Sequence, residues 1–135
     1  MRVLGLGWAE DEPRALQAAA DQLLAAQRAD GGWAQLETLA SDAYATGQAL
    51  YALQTAGRLP RQALDKGVRF LLETQLADGS WHVRSRSFPV QTNYFDTGFP
   101  HGRDQWISAA GTRWACIGLS LAVEAGPVSL RDRPR

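Results

Sequence analysis

Lys66-Gly67-Val68-Arg69-Phe70-Leu71-Leu72-Glu73-Thr74-Gln75-Leu76-Ala77-Asp78-Gly79-Ser80-Trp81 is the stretch around which the 135-residue chain can be organised. Its last seven residues recur 48 positions upstream as Gln27-Arg28-Ala29-Asp30-Gly31-Gly32-Trp33, and Leu23-Leu24 stand where Leu71-Leu72 stand. A fixed internal shift of this length marks a repeat architecture, in which each unit buries its apolar face against the next. A second matching pair, Ala45–Leu53 and Gly111–Leu119, lies 66 residues apart. The second unit therefore carries an insertion of about 18 residues within His82 to Gln105. Irregular chain on a rigid scaffold is where sites tend to sit, so function is expected there.

Each unit reads as two helices. Segment 12–28 has Pro13 in its first turn and sets Leu16, Ala20, Leu23, Leu24 and Gln27 on one stripe, away from Arg14, Gln17 and Asp21. Segment 61–76 repeats the pattern, with Leu64, Val68, Leu71 and Leu72 opposed to Arg61, Asp65, Arg69 and Glu73. Helices with one apolar stripe belong on the outside of a layered fold. Segments 42–56 and 106–125 are apolar nearly all round, so both are expected to be enclosed on every side. Gly57, Pro60 and Gly126-Pro127 supply stops and starts, and Asp30-Gly31 and Asp78-Gly79 the turns. Alternation of Val83, Ser85 and Ser87 with Arg84 and Arg86 predicts a short strand, isolated or at an edge because Pro89 follows.

Fourteen basic and fourteen acidic side chains cancel, and no run holds five like charges. A nucleic-acid partner is not expected, even with the mildly basic tail Arg131, Arg133, Arg135. At 45% hydrophobic and 21% charged, the chain can bury a core, which excludes global disorder. No stretch approaches the roughly 18 apolar residues of a membrane span, and Met1–Trp8 is short for a signal peptide. Cys116 stands alone, so neither an internal disulfide nor a Cys-x-x-Cys zinc site is expected. No metal or cofactor is anticipated. The cytoplasm is the default compartment, with a peripheral place on a membrane left open.

Lys66 to Trp81 resembles a complete Gln–Trp (QW) repeat of the squalene–hopene cyclase, oxidosqualene cyclase and protein prenyltransferase superfamily. The first copy is partial: it keeps Gln27, Gly31 and Trp33, but has Ala18-Ala19 for Lys-Gly and Gln22 for the aromatic. The resemblance implies an all-α fold, a partial α/α toroid of alternating outer and inner helices. Residues 1–135 would be a single segment of it, with one repeat unit at about 12–57 and the other at about 61–126. It also implies that Gln27 and Gln75 cap neighbouring outer helices beneath Trp33 and Trp81, which makes these four structural residues. A complete toroid needs many more helices than are legible here. The chain is thus similar to the C-terminal region of a larger ring, its missing helices coming from a longer chain or from self-association.

Phe95-Asp96-Thr97-Gly98-Phe99-Pro100 is similar to a Thr-Gly-Phe-Pro segment near the C-terminus of squalene–hopene cyclases, where aromatic rings on either side of the glycine line the cyclisation cavity. The resemblance puts Phe95 and Phe99 on such a wall. Tyr94 and Trp106 are further candidates for contact with an apolar polyprenyl or triterpenoid ligand, or all four rings cover the open end of the helix array. Arg103 and Trp106 stand where those cyclases have a tyrosine pair, and Arg103 would set a cation where a carbocation is to be stabilised. The family's Asp-x-Asp-Asp acid motif does not occur, nor does the prenyltransferase Asp-x-Cys pair. The implied function is a cyclase-like domain that contributes cavity wall or apolar ligand surface to a larger or partnered protein. If part of an enzyme, it belongs to a terpene cyclase-type isomerase and is inactive alone; the alternative is a non-catalytic helical-repeat interaction module. Asp96, His101, Arg103 and Asp104 form the one dense titratable group. They are either an acid–base group at a cavity mouth or a polar loop in which Asp104 caps the helix from Trp106 and His101 and Arg103 meet solvent. His82 has no evident partner.

Overall fold

The computed structural model describes residues 3–5, 13–87 and 95–124. Pro89, Tyr94, Gly126-Pro127 and the tail arginines lie outside them. Among the described residues the elements are α1 (Pro13–Ala25), α2 (Ala43–Thr55), α3 (Arg61–Thr74), a 3-10 turn (Gly102–Asp104) and α4 (Gln105–Glu124), with a helical turn at 3–5 and no strand. The fold is all-α.

The inner pair, α2 and α4, runs side by side, with α1 against α2 and α3 against both inner helices. Small residues allow the close approach. A Cβ on Gly47 would lie 2.2 Å from the Trp114 carbonyl oxygen, and Gly118 faces Leu50, Leu71 and the Gly47 Cα. Around this contact Leu50, Leu53, Leu64, Leu71, Trp33 and Trp81 form the core. α2 starts at Asp42, whose carboxylate accepts from Ala45 N at 2.8 Å, and ends at Gly57, which takes the left-handed conformation at φ +64°.

The two QW turns repeat bond for bond. Arg28 N donates to Gly32 O and Leu76 N to Ser80 O; Gly32 N donates to Asp30 Oδ1 and Ser80 N to Asp78 Oδ1. Trp33 Nε1 donates to Leu23 O at 2.7 Å, and Trp81 Nε1 to Leu71 O at 2.8 Å. Both carbonyls lie in the last turn of an outer helix, where no intrahelical N–H remains to reach them. The indole therefore closes the helix that precedes it.

Four expectations are corrected. Gln27 does not accept from the orphan N–H groups of a neighbouring helix; its Nε2 donates to Gly31 O at 2.9 Å and to Ala63 O at 3.0 Å, in the first turn of α3. Gln75 reaches only Gly79 O, at 3.0 Å, within its own turn. Leu72, assigned to the buried stripe, is 57% exposed, and Phe70 takes the inward position beside Gly32. Finally α4 is not enclosed: Trp106, Arg113, Cys116, Ile117 and Val123 are exposed along one face, while Gln105, Ser108, Gly111, Ala115, Gly118 and Ala122 are buried on the opposite one.

Gly47→Ala should destabilise the fold by about 1–3 kcal/mol or more, because the new methyl meets backbone that has no rotamer with which to yield. Leu72→Ala should stay within about 0.5 kcal/mol. Urea denaturation followed by circular dichroism measures both, and the reverse ranking would show that α2 and α4 do not meet at Gly47.

Candidate functional site

One polar stripe interrupts the apolar surface around α4: Asp104, Ser108 and Thr112, spaced four apart. Trp81 N donates to Thr112 Oγ1 at 3.1 Å, Val83 N to Ser108 Oγ at 3.0 Å and Ser85 N to Asp104 Oδ1 at 2.8 Å. The match is geometric. Two residues of extended chain advance about 6.6 Å and four residues of helix about 6 Å, so alternate N–H groups meet successive turns in antiparallel register. Residues 81–87 alternate in burial at 81–84 and pair with no strand among the described residues, which corrects the edge-strand alternative: a helix supplies the acceptors a neighbouring strand would have offered. Trp81 and Val83 point into the core, and His82 and Arg84 point out.

The loop from Phe95 to His101 is tied to the start of the same helix. Gln105 is buried; its Oε1 accepts from both the backbone N and the hydroxyl of Thr97, and its Nε2 donates to Gly102 O at 3.0 Å. Trp106 Nε1 donates to Phe95 O at 3.0 Å. Between loop and helix runs a groove of about 570 Å³, with Thr97–Pro100 on one side and Trp106, Ala109, Ala110 and Arg113 on the other. The helical side follows i, i+3, i+4, i+7 spacing, one face of α4. Phe99 and Trp106 thus share a groove. The Phe95 ring is 76% exposed and does not line it, and Tyr94 lies outside the described residues.

The four titratable candidates do not converge on the groove. Asp96 Oδ1 accepts from Gly98 N at 2.9 Å, closing a local turn. Arg103 is exposed on the 3-10 turn. His101 Nε2 lies 2.9 Å from Ser80 Oγ, whose proton goes to Asp78 Oδ1 at 2.7 Å, so the imidazole is the donor to the serine. His82 stacks on His101 with centroids 4.9 Å apart and bonds Asp104 Oδ2 at 2.7 Å. Asp104 is therefore spent on Ser85 and His82 instead of capping α4, His101 is not free in solvent, and His82 has two partners. His101 sits at φ +84°, a left-handed conformation unusual for a side chain with a Cβ, and the Ser80 bond and the His82 stack hold it there.

For Asp104, partial burial pushes the carboxyl up, but the His82 bond, the Ser85 N–H and the charges of His82 and Arg84 outweigh it and hold the group below its ordinary 3.8. The Ser80 hydroxyl and amide lower Asp78 likewise. Among the described residues no three His, Cys, Asp or Glu side chains gather to hold a metal, and no helix is long and apolar enough to cross a membrane.

The profile of the squalene-hopene cyclase C-terminal domain family matches residues 3–103, three-quarters of the chain. The chain belongs to that family. It is 33% identical over 105 residues to a squalene–hopene cyclase of Bradyrhizobium diazoefficiens, covering 70% of this chain and 14% of the relative. It is 38% identical over 72 residues to a drimenyl diphosphate synthase of Streptomyces showdoensis, covering 53% and 14%. The chain thus spans about one-seventh of either relative's length. No solved structure matches significantly. Within this squalene–hopene cyclase C-terminal domain, Phe95 and Phe99 fall inside the matched span, whereas Trp106 and Arg113 lie beyond it.

Reading the sequence missed the stripe Asp104, Ser108, Thr112, the buried Gln105 and the place of Arg113. The signal for the first was present as polar residues at four-residue spacing on an otherwise apolar helix. Ser108→Ala should cost about 1–3 kcal/mol, since it strands the buried Val83 N–H. Because the folded Asp104 carboxyl titrates below 3.8, its contribution is present above that pH and is lost as pH falls through the folded value. Asp104→Asn should therefore be less stable than wild type at pH 6 and lose less on acidification to pH 3, in urea melts across that range. Parallel pH profiles would show that Asp104 carries no such linkage.

Proposed function

We propose that this chain supplies part of the apolar wall of an isoprenoid-binding cavity in a cyclase-type protein, and not the acid that starts the reaction. The observation that carries this reading is the groove between Thr97–Pro100 and α4, in which Phe99 and Trp106 stand with Ala109 and Ala110. A cation over an aromatic face is stabilised by the ring quadrupole, and the effect grows when water is excluded. Trp106 suits that role because the bond from its indole N–H to Phe95 O fixes the ring, leaving a surface 56% exposed. The exposed face of α4 supports the reading further, since Trp106, Ile117 and Val123 are large apolar residues exposed on it. Starting a cyclisation needs a strong acid aimed at an alkene, and the 135 residues hold no Asp-x-Asp-Asp. By name, one relative acts on the hydrocarbon squalene and the other makes a diphosphate. The common ligand class is an isoprenoid.

Farnesol titrated into the full chain should quench tryptophan fluorescence. Trp106→Phe should remove that part of the signal, and Trp106→Ala should weaken binding about tenfold, the worth of one good aromatic contact. Squalene incubated with the chain should be recovered uncyclised. A cyclised product would overturn the missing-acid part of the reading; absence of any isoprenoid binding would overturn the cavity and leave a helical-repeat interaction module.

A further inference from the structure

Arg113 is, among the described residues, the one ionisable side chain in the lining of the groove. Among the described residues no hydrogen bond or ion pair engages its guanidinium. Arginine is always charged and offers five N–H donors in a planar fork. In a cavity meant only for a hydrocarbon or a carbocation, an unpaired guanidinium opposes the ligand. Beside an anion it is the best available partner.

The rest of the groove narrows the assignment. Thr97 N is bonded to Gln105, Gly98 N to Asp96 and Phe99 N to Thr97 Oγ1, and Pro100 has no N–H, so the stretch that lines the groove, Thr97–Pro100, has no backbone donor left for an anion. The anion-binding capacity of the groove therefore rests on Arg113. Trp106 and Arg113 are separated by seven residues of one helix face, about 10 Å, with the two small alanines between them. That spacing lays an apolar chain along Ala109 and Ala110 with its ring contact at one end and a charge contact at the other.

We infer that the groove takes an isoprenoid with an anionic phosphate-type head group, a prenyl diphosphate, and that Arg113 is the residue that selects the head group over a neutral isoprenoid. This inference rests on the cavity reading above and decides which of the two isoprenoid classes fits.

The test compares farnesyl diphosphate, farnesol and inorganic pyrophosphate binding to the full chain by tryptophan fluorescence and calorimetry at low salt. Farnesyl diphosphate should bind at least tenfold tighter than farnesol, and that ratio should shrink as salt rises. Arg113→Gln should bring the ratio near one. Arg113→Lys should keep part of it, since charge survives and the fork does not. Arg14→Gln, on exposed α1, should leave it unchanged, and circular dichroism confirms that each variant retains its helices. Equal binding of farnesol and farnesyl diphosphate to wild type would overturn the head-group assignment while leaving the cavity standing. An undiminished ratio in Arg113→Gln would overturn the role of Arg113. Pyrophosphate binding as tightly as farnesyl diphosphate would show a bare anion site and overturn the isoprenoid class. Failure of both isoprenoids to bind would remove the cavity reading and this inference with it.

Discussion

The register between an extended segment and a helix governs this structure. Residues 81, 83 and 85 give their N–H groups to Thr112, Ser108 and Asp104, and the described part of the inserted region is built on that contact. It buries Trp81 and Val83 without leaving backbone donors unpaired, each of which would cost about 1–3 kcal/mol. Because side chains alternate along an extended chain, burying 81 and 83 forces His82 and Arg84 outward. His82 thereby meets Asp104 and His101, and His101 meets Ser80. The loop that forms one side of the groove is anchored at its far end by that stack and at its near end by Gln105 and Trp106.

The two QW turns show how one local sequence serves two surroundings. Their internal bonds are the same, since Asp, Gly and Trp at fixed spacing dictate the turn by short-range chemistry. Their outward contacts differ. Gly31 lies where any Cβ would strike the Lys66 carbonyl, so the first turn is docked on α3, and Gln27 spans the junction to Ala63. Gly79 has open space in the same direction, and its Gln75 bonds only within the turn. Position 32 is a glycine facing Phe70 and Ser41, whereas position 80 has room for a serine, which reaches His101.

This contrast also explains what could be read from the sequence. The all-α class, the four helices and the repeat were legible because each depends on spacing within a short window, and the ends of α1 to α4 fall within three residues of those expected. Leu72 was misplaced because a stripe two residues wide does not say which of Leu71 and Leu72 faces the core; the close fit of Phe70 on Gly32 decides it. The polar network was misread because Asp104, His82, Ser80 and His101 come from segments about 20 residues apart. No periodicity within one segment brings them together. The enclosed character expected of α4 failed for a related reason: composition reports how apolar a helix is, not how many neighbours the same chain provides.

The two faces of α4 differ in size as well as in exposure. Toward α2 it presents Ser108, Gly111, Ala115 and Gly118, small residues that let backbones approach until Gly47 touches the Trp114 carbonyl. Away from α2 it presents Trp106, Arg113, Ile117 and Val123, none of which would fit on the other side. A helix that merely covered a core would need large residues inward and polar ones outward. Here the division is mixed: small residues set the helix close to its neighbour, Ile107, Leu119 and Leu121 still pack on the core, and Trp106, Ile117 and Val123, with Arg113 among them, remain exposed. That arrangement costs solubility for an isolated helix, and on the reading proposed above the outward face is a binding surface, where the Trp106 ring and the Arg113 guanidinium two turns apart act on different ends of the same ligand.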